Sequence, residues 1–209
     1  MAETELQTSL FEFTGNHLCL DFTNTVHDRF SNPKELLNSY NDLLLWSRGA
    51  QLLTEDEASQ LREKAEHHRK EAEAVLQRAI NLREALYRIF LAVAHGFSPE
   101  KSDLSTLNTE FSEAMSQACI VPAKDNFTLD WTGKDKALDR MLWTIARSAA
   151  DLLTSKGLDD VRVCAAEDCN WLFLDTSKNH SRRWCDMKSC GNRAKVRKHY
   201  TQKKHSTHV

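Results

Sequence analysis

Cys164-Ala165-Ala166-Glu167-Asp168-Cys169 and Cys185-Asp186-Met187-Lys188-Ser189-Cys190-Gly191-Asn192-Arg193 are the stretches on which the reading of this chain turns. Each holds two cysteines with four residues between them, and a 15-residue insert, Asn170 to Trp184, separates the pairs. Two C-x4-C pairs at that separation suit one tetrahedral cation bound by four thiolates. Four unrelated buried cysteines rarely fall into two equal spacings. In a reducing compartment paired cysteines favour metal over disulfide, and an all-sulfur set favours zinc. Four protein ligands leave no coordination position open. Cys164, Cys169, Cys185 and Cys190 are therefore expected to hold a structural Zn2+, not a catalytic one. His180 or His199 could replace a cysteine in that set. Cys19 and Cys119 lie in apolar contexts and read as inert buried thiols.

Outward from the cysteines, residues 161–164 and 171–174 read as short strands flanking the first pair. After the second pair, Gly191 suits a position of positive φ or close backbone approach. Asn192 is a good N-cap for a helix over 193–200. On it Val196 and Tyr200, four apart, are expected to pack inward, with Arg193 and Arg197 on another face. Arg182, Arg183, Asn192, Arg193, Lys195, Arg197 and Lys198 then form a nucleic-acid-binding patch on a rigid knuckle. The charge distribution agrees. Residues 164–209 hold 10 Lys and Arg against 4 Asp and Glu, a net of +6, whereas residues 1–163 hold 18 against 26, a net of −8. Such a split suggests a polyanion-binding end on an acidic body. A solvated basic helix without a dedicated ligand is the plainer alternative.

The body is expected to be helical, because the 209 residues include only 6 Gly and 3 Pro. Thr54-Glu55-Asp56-Glu57 is a capping box. Between residues 71 and 95, Val75, Ala79, Leu82, Leu86, Ile89, Phe90 and Val93 recur every three or four positions, the mark of a long amphipathic helix. Further helices are expected from Pro33 to Gly49, from Ser98-Pro99 to about Gln117, and over 135–155 with Gly157 as the stop. Residues 119–121 and 127–131 read as a β-hairpin. Phe11 to Phe22 alternates loosely and reads as one or two strands broken at Gly15-Asn16. The expected fold is α+β and mostly helical. A helical body with a small strand component spans 1–157, and a zinc module of knuckle-plus-helix or treble-clef type spans 158–209.

Phe173-x-Asp175-x-Ser177, Arg182-Arg183-Trp184-Cys185-x-Met187-x-x-Cys190 and Gly191-Asn192-Arg193-x-Lys195 together resemble the CGNR zinc-finger module. Leu18 to Val26 and Leu82 to Phe90 resemble the opening signature and central helix of the ABATE domain, which precedes that module in the family. The resemblance implies a bacterial protein, a bound zinc ion and DNA binding, with a role in stress-induced transcription regulation. A His/Lys tail stands where further arginines would follow the last helix.

Within the body, Asp21, Asn24, Thr25, Trp46 and Arg83 are candidates for a small-ligand pocket, with Asp21 as the partner of Arg83. The plainer reading makes Asn24 a helix cap and Asp21–Arg83 an internal brace. No G-x-S-x-G, H-E-x-x-H or phosphate-binding glycine loop occurs, so no enzyme is expected. No apolar run approaches the ~20 residues of a membrane span, and the acidic N-terminus is no signal peptide, so the expected location is the cytoplasm. The expected partners are nucleic acid, DNA first, with a small-molecule effector and a second copy of the chain as further candidates. An adaptor or RNA-binding role for the same basic module is the alternative.

Overall fold

A computed structural model describes residues 11–197 and 200. Its centre is the helix that the sequence marks most strongly, α4 (Arg69–Ala94), preceded by α1 (Leu18–Thr23), α2 (Tyr40–Gly49) and α3 (Glu55–His67). After it come α5 (Lys101–Ser116), the strands β3 (Ala118–Pro122) and β4 (Phe127–Trp131), and α6 (Arg140–Leu153). Ala79, Leu82, Leu86, Ile89 and Phe90 of α4 are fully buried. Leu142, Ile145, Ala146 and Ala149 of α6 pack into the same core at helical spacing. Each fully buried Leu or Ile contributes ~1.5–3 kcal/mol, so these two faces hold the body together.

The capping box opens α3 as expected: Glu57 N–H donates to Thr54 Oγ1, and the Glu57 carboxylate accepts from Thr54 N–H at 2.8 Å. The hairpin β3–β4 is antiparallel, pairing Ile120 with Leu129. Three expectations fail. Residues 18–23 are helical, not extended. Cys19, Leu20, Phe22 and Thr23 are all buried, and a short apolar run fits either period until its surroundings choose. Pro33 does not open a helix. It lies in the turn between β1 (Val26–His27) and β2 (Lys34–Glu35), and α2 starts later, where Ser39 caps Asp42 N–H. Gly157 does not end α6, which stops at Leu153 and is followed by a 3-10 turn, Lys156–Asp160.

The cysteine-bearing segment starts on β5 (Val161–Val163), paired antiparallel with β6 (Leu172–Leu174). This ladder has two different faces, as strand alternation requires. Val161 and Leu172 join the body core, whereas Trp171 and Phe173 join a second cluster with the four cysteines. The outer edge of β6 is held by the N-terminal segment. Leu174 N–H donates to Gly15 O (2.8 Å), and Asn24 exchanges two hydrogen bonds with the Leu172 backbone. Gly15 cannot carry a side chain there, since a Cβ would lie 2.9 Å from Asp21 N.

Candidate metal centre and basic surface

Cys164 follows β5 and Cys169 precedes β6, and Cys164 N–H donates to Trp171 O (2.8 Å), closing the loop that brings both sulfurs to one side. Of the second pair, Cys185 immediately precedes and Cys190 lies within a single wide turn, Met187–Gly191, started by Asp186, whose carboxylate accepts from Ser189 N–H at 2.8 Å. All four Sγ atoms lie within 4.8 Å of one another, with Cys169–Cys185 and Cys185–Cys190 at 3.5 Å. A tetrahedral zinc with bonds of ~2.3 Å needs sulfur–sulfur edges of about 3.8 Å, so the cage has the right size. All four residues are buried. Without a cation they could not ionise together. Hydrogen bonds from Cys169 and Cys185 hold Cys164 below the usual thiol range, and acting as its donors pushes those two up, while burial pushes Cys190 up. A divalent ion removes that conflict, because it stabilises every thiolate at once. Further donors point at the sulfurs: Cys185 N–H to Cys164 Sγ (3.4 Å) and Arg193 Nη2 to Cys190 Sγ (3.1 Å).

Residues 16–156 match the family ABATE, "Putative stress-induced transcription regulator", and residues 161–203 match the CGNR zinc finger. The chain belongs to the ABATE family. Its C-terminal part is a CGNR zinc finger, and Cys164, Cys169, Cys185 and Cys190 are its structural zinc site. No curated protein matches the chain.

The basic residues of the CGNR module have unequal surroundings. Arg182 is folded into the knuckle: it donates to the carbonyls of Trp184 (2.8 Å), Thr14 (3.1 Å) and Cys185, and lies over the Phe173 ring at 4.6 Å. That makes it a clamp between the body and the metal loop. Arg183 is exposed, its guanidinium 5.3 Å from the Trp184 ring centre. The backbone over 192–197 is helical, and Lys195 on it is exposed. Arg193 and Arg197 are half-exposed and meet Asp168, Arg197 at 2.7 Å and Arg193 at 3.7 Å, with Glu167 3.8 Å from Arg197. Lys198 lies outside the described residues, as does His199.

Three local expectations change. Asn192 is already in helical conformation and donates to Lys188 O (3.0 Å), so Asp186 is the cap. Val196 and Tyr200 do not pack inward: they are 54% and 65% exposed, which leaves an apolar strip beside the cations. Gly191 has no positive φ and no close backbone neighbour: a Cβ would meet Met187 Sδ at 2.5 Å, at the far end of an exposed side chain that can shift.

The five body candidates are engaged inside the fold. Arg83, 2% exposed at its side chain, is not paired with Asp21. It forks onto Glu35 (2.6 and 2.7 Å), donates to Glu84 (2.8 Å) and reaches Thr25 Oγ1 (3.3 Å). Asp21 accepts from Gly15 N–H at 2.7 Å, and burial raises its carboxyl to about 6. Trp46 packs on Phe22 with ring centres 4.9 Å apart. Asn24 clasps Leu172. Of the five, Thr25 and Arg83 meet through their side chains, and Asn24 N–H donates to Asp21 O (3.2 Å) along the backbone.

Several structurally decisive residues escape a sequence reading. Asp175 is buried and accepts from Ser177 N–H (3.0 Å), Ser177 Oγ (2.6 Å) and Arg182 N–H (2.8 Å), pinning the insert between the cysteine pairs. Burial opposes its ionisation, yet these bonds hold the carboxyl below its usual range. The Asp-x-Ser spacing is a readable Asx-turn signal. Asp168 and Asn24 carry no such signal, because their partners are remote in sequence.

Proposed function

We propose that this protein is a transcription regulator that binds DNA through the zinc-clamped basic helix, with the helical body tuning that activity. One observation carries the reading: the metal cage fixes a helix that presents Lys195 and half-exposed Arg193 and Arg197 on the same rigid knuckle as Arg183. The two arginines are held by Asp168 and Glu167 of that knuckle. Exposed ion pairs of this kind contribute only ~0–1 kcal/mol, so a phosphate can displace the carboxylates. Arg182 acts as a positioning residue in this scheme, since its donors are already on backbone carbonyls. Three or four phosphate contacts would give log K falling with log salt at a slope of about −3 to −4.

Fluorescence anisotropy of the zinc-loaded chain on labelled duplex DNA across a salt series tests this. Lys195→Ala and Arg197→Ala are each expected to weaken binding and flatten the slope by roughly one. Unchanged affinity and slope in both would remove this helix as the DNA-binding element. Competition by single-stranded and double-stranded RNA of matched length separates DNA from RNA as the ligand. Among the described residues no helix is long and apolar enough to cross a membrane.

A further inference from the structure

A cavity of about 470 Å³ opens between α2, α3 and α4, on the body and lined by residues remote in sequence from the cysteines. Small-ligand pockets usually measure ~300–1,000 Å³. Its walls include Tyr40, Leu44, Ala72 and Leu76, and the first three of these are buried. Tyr40 donates its hydroxyl away to Leu138 O (2.7 Å), so it adds no polar demand of its own. Into this apolar setting come two arginines, Arg62 and Arg69.

Arg62 is the informative one. The other arginines of the body helices that are partly buried end on carboxylates: Arg78 on Glu110 and Asp139, Arg83 on Glu35, Arg140 on Glu57. Arg62 is half-buried, and its Nε is fixed to Asn41 Oδ1 at 2.9 Å. That bond orients the guanidinium, yet among the described residues no carboxylate lies within ion-pair distance of Arg62 or Arg69. Glu66 and Glu73 also line the cavity, but both are exposed at its rim. A preoriented fork without an anion, set beside an apolar wall, matches a molecule with a carboxylate at one end and a hydrocarbon body at the other.

We infer that the cavity between α2, α3 and α4 is a binding site for a small monocarboxylic acid with an aromatic or aliphatic body, its carboxylate on Arg62 and its apolar part against Leu44, Ala72 and Leu76. The site deepens the regulator reading by giving the body an effector class, and it lies apart from Asp21 and Asn24. Its test needs no nucleic acid, so its failure and the failure of DNA binding are separate results.

Isothermal titration calorimetry of the zinc-loaded full chain with benzoate, hexanoate and the neutral isostere benzamide decides it. Benzoate and hexanoate are expected to bind, and benzamide at least about tenfold more weakly, because it lacks the charge-assisted bond. Arg62→Gln should lower benzoate affinity by about 10- to 100-fold without shifting the ligand-free melting midpoint by more than about 2 °C. Arg69→Gln, at an exposed position, should produce a smaller loss and serves as the second variant if the first folds poorly. Benzamide binding as tightly as benzoate, an unchanged benzoate affinity in both variants, or no heat from either acid at about 10 mM would each overturn the assignment.

Discussion

Replacing Asn24 by alanine should unlatch the zinc finger from the body. Asn24 is 2% exposed, and its amide donates to Leu172 O at 2.9 Å while its carbonyl accepts from Leu172 N–H at 3.0 Å. Those bonds serve the backbone groups of Leu172, the first residue of β6, and Leu172 itself is fully buried. Alanine would leave one N–H and one C=O buried without partners, at ~1–3 kcal/mol each. A loss of about 2–5 kcal/mol is therefore expected, a large share of the ~5–15 kcal/mol of an ordinary domain. Leu172 belongs to the body core and lies three residues from Cys169, so two readouts should move together. In urea denaturation of the zinc-loaded chain, followed by tryptophan fluorescence, the midpoint should fall. Transfer of zinc to a chromophoric chelator should quicken. Asn24→Asp is the sharper variant: it keeps the acceptor, loses the donor and turns a charged oxygen toward Leu172 O. It should be at least as harmful as alanine at neutral pH and recover partly on acidification. A cost below about 0.5 kcal/mol for Asn24→Ala, or a neutral Asn24→Asp, would refute the latch.

Asp168→Asn removes the main carboxylate from Arg197 and Arg193; stability should change by less than about 1 kcal/mol, while DNA affinity by anisotropy should rise a few-fold, and a fall would contradict the displacement scheme. Burial lifts Asp21 to about 6, above the ~3.9 of an unfolded chain. The folded state thus binds the extra proton, and this contribution to stability is complete below the unfolded value and lost as pH rises through about 6. Asp21→Asn keeps an acceptor for Gly15 N–H, so its melting midpoint should exceed that of the wild type at pH 7.5, with the gain vanishing near pH 4; equal gains at both pH values would argue against the cause. Metal analysis should find one zinc per chain, and chelation should change the near-UV signal of Trp171 and Trp184 and be reversed by added zinc.

What could be read in advance is what local chemistry dictates. The Leu82–Leu86–Ile89 face, the Thr54–Glu57 box and the two cysteine pairs are short-range patterns, and the structure places them as read. Misread segments are those whose neighbours lie far along the chain. Residues 18–23 are helical because they are enclosed on several sides, where an apolar run loses its diagnostic alternation. Asn24 finds its partner 148 residues away, and Arg83 finds Glu35 at 48. No spacing rule points to either. At the end of the zinc finger, composition points to Asn192 as the cap, but the wide turn through Gly191 begins the helical stretch earlier and makes Asp186 the cap.

The acidic residues inside the basic module alter how its charge should be counted. The +6 of residues 164–209 treats cysteines as neutral. Four thiolates around Zn2+ carry about −2, so the loaded module is nearer +4. Arg193 donates to Cys190 Sγ and so balances the metal centre before any nucleic acid arrives. Arg182 likewise faces backbone carbonyls. Among the described residues of the proposed patch, Arg183 and Lys195 are exposed, whereas Arg197 is engaged by Asp168. On the proposed DNA-binding reading, the exposed Val196 of the same helix adds apolar contact with bases to these charges.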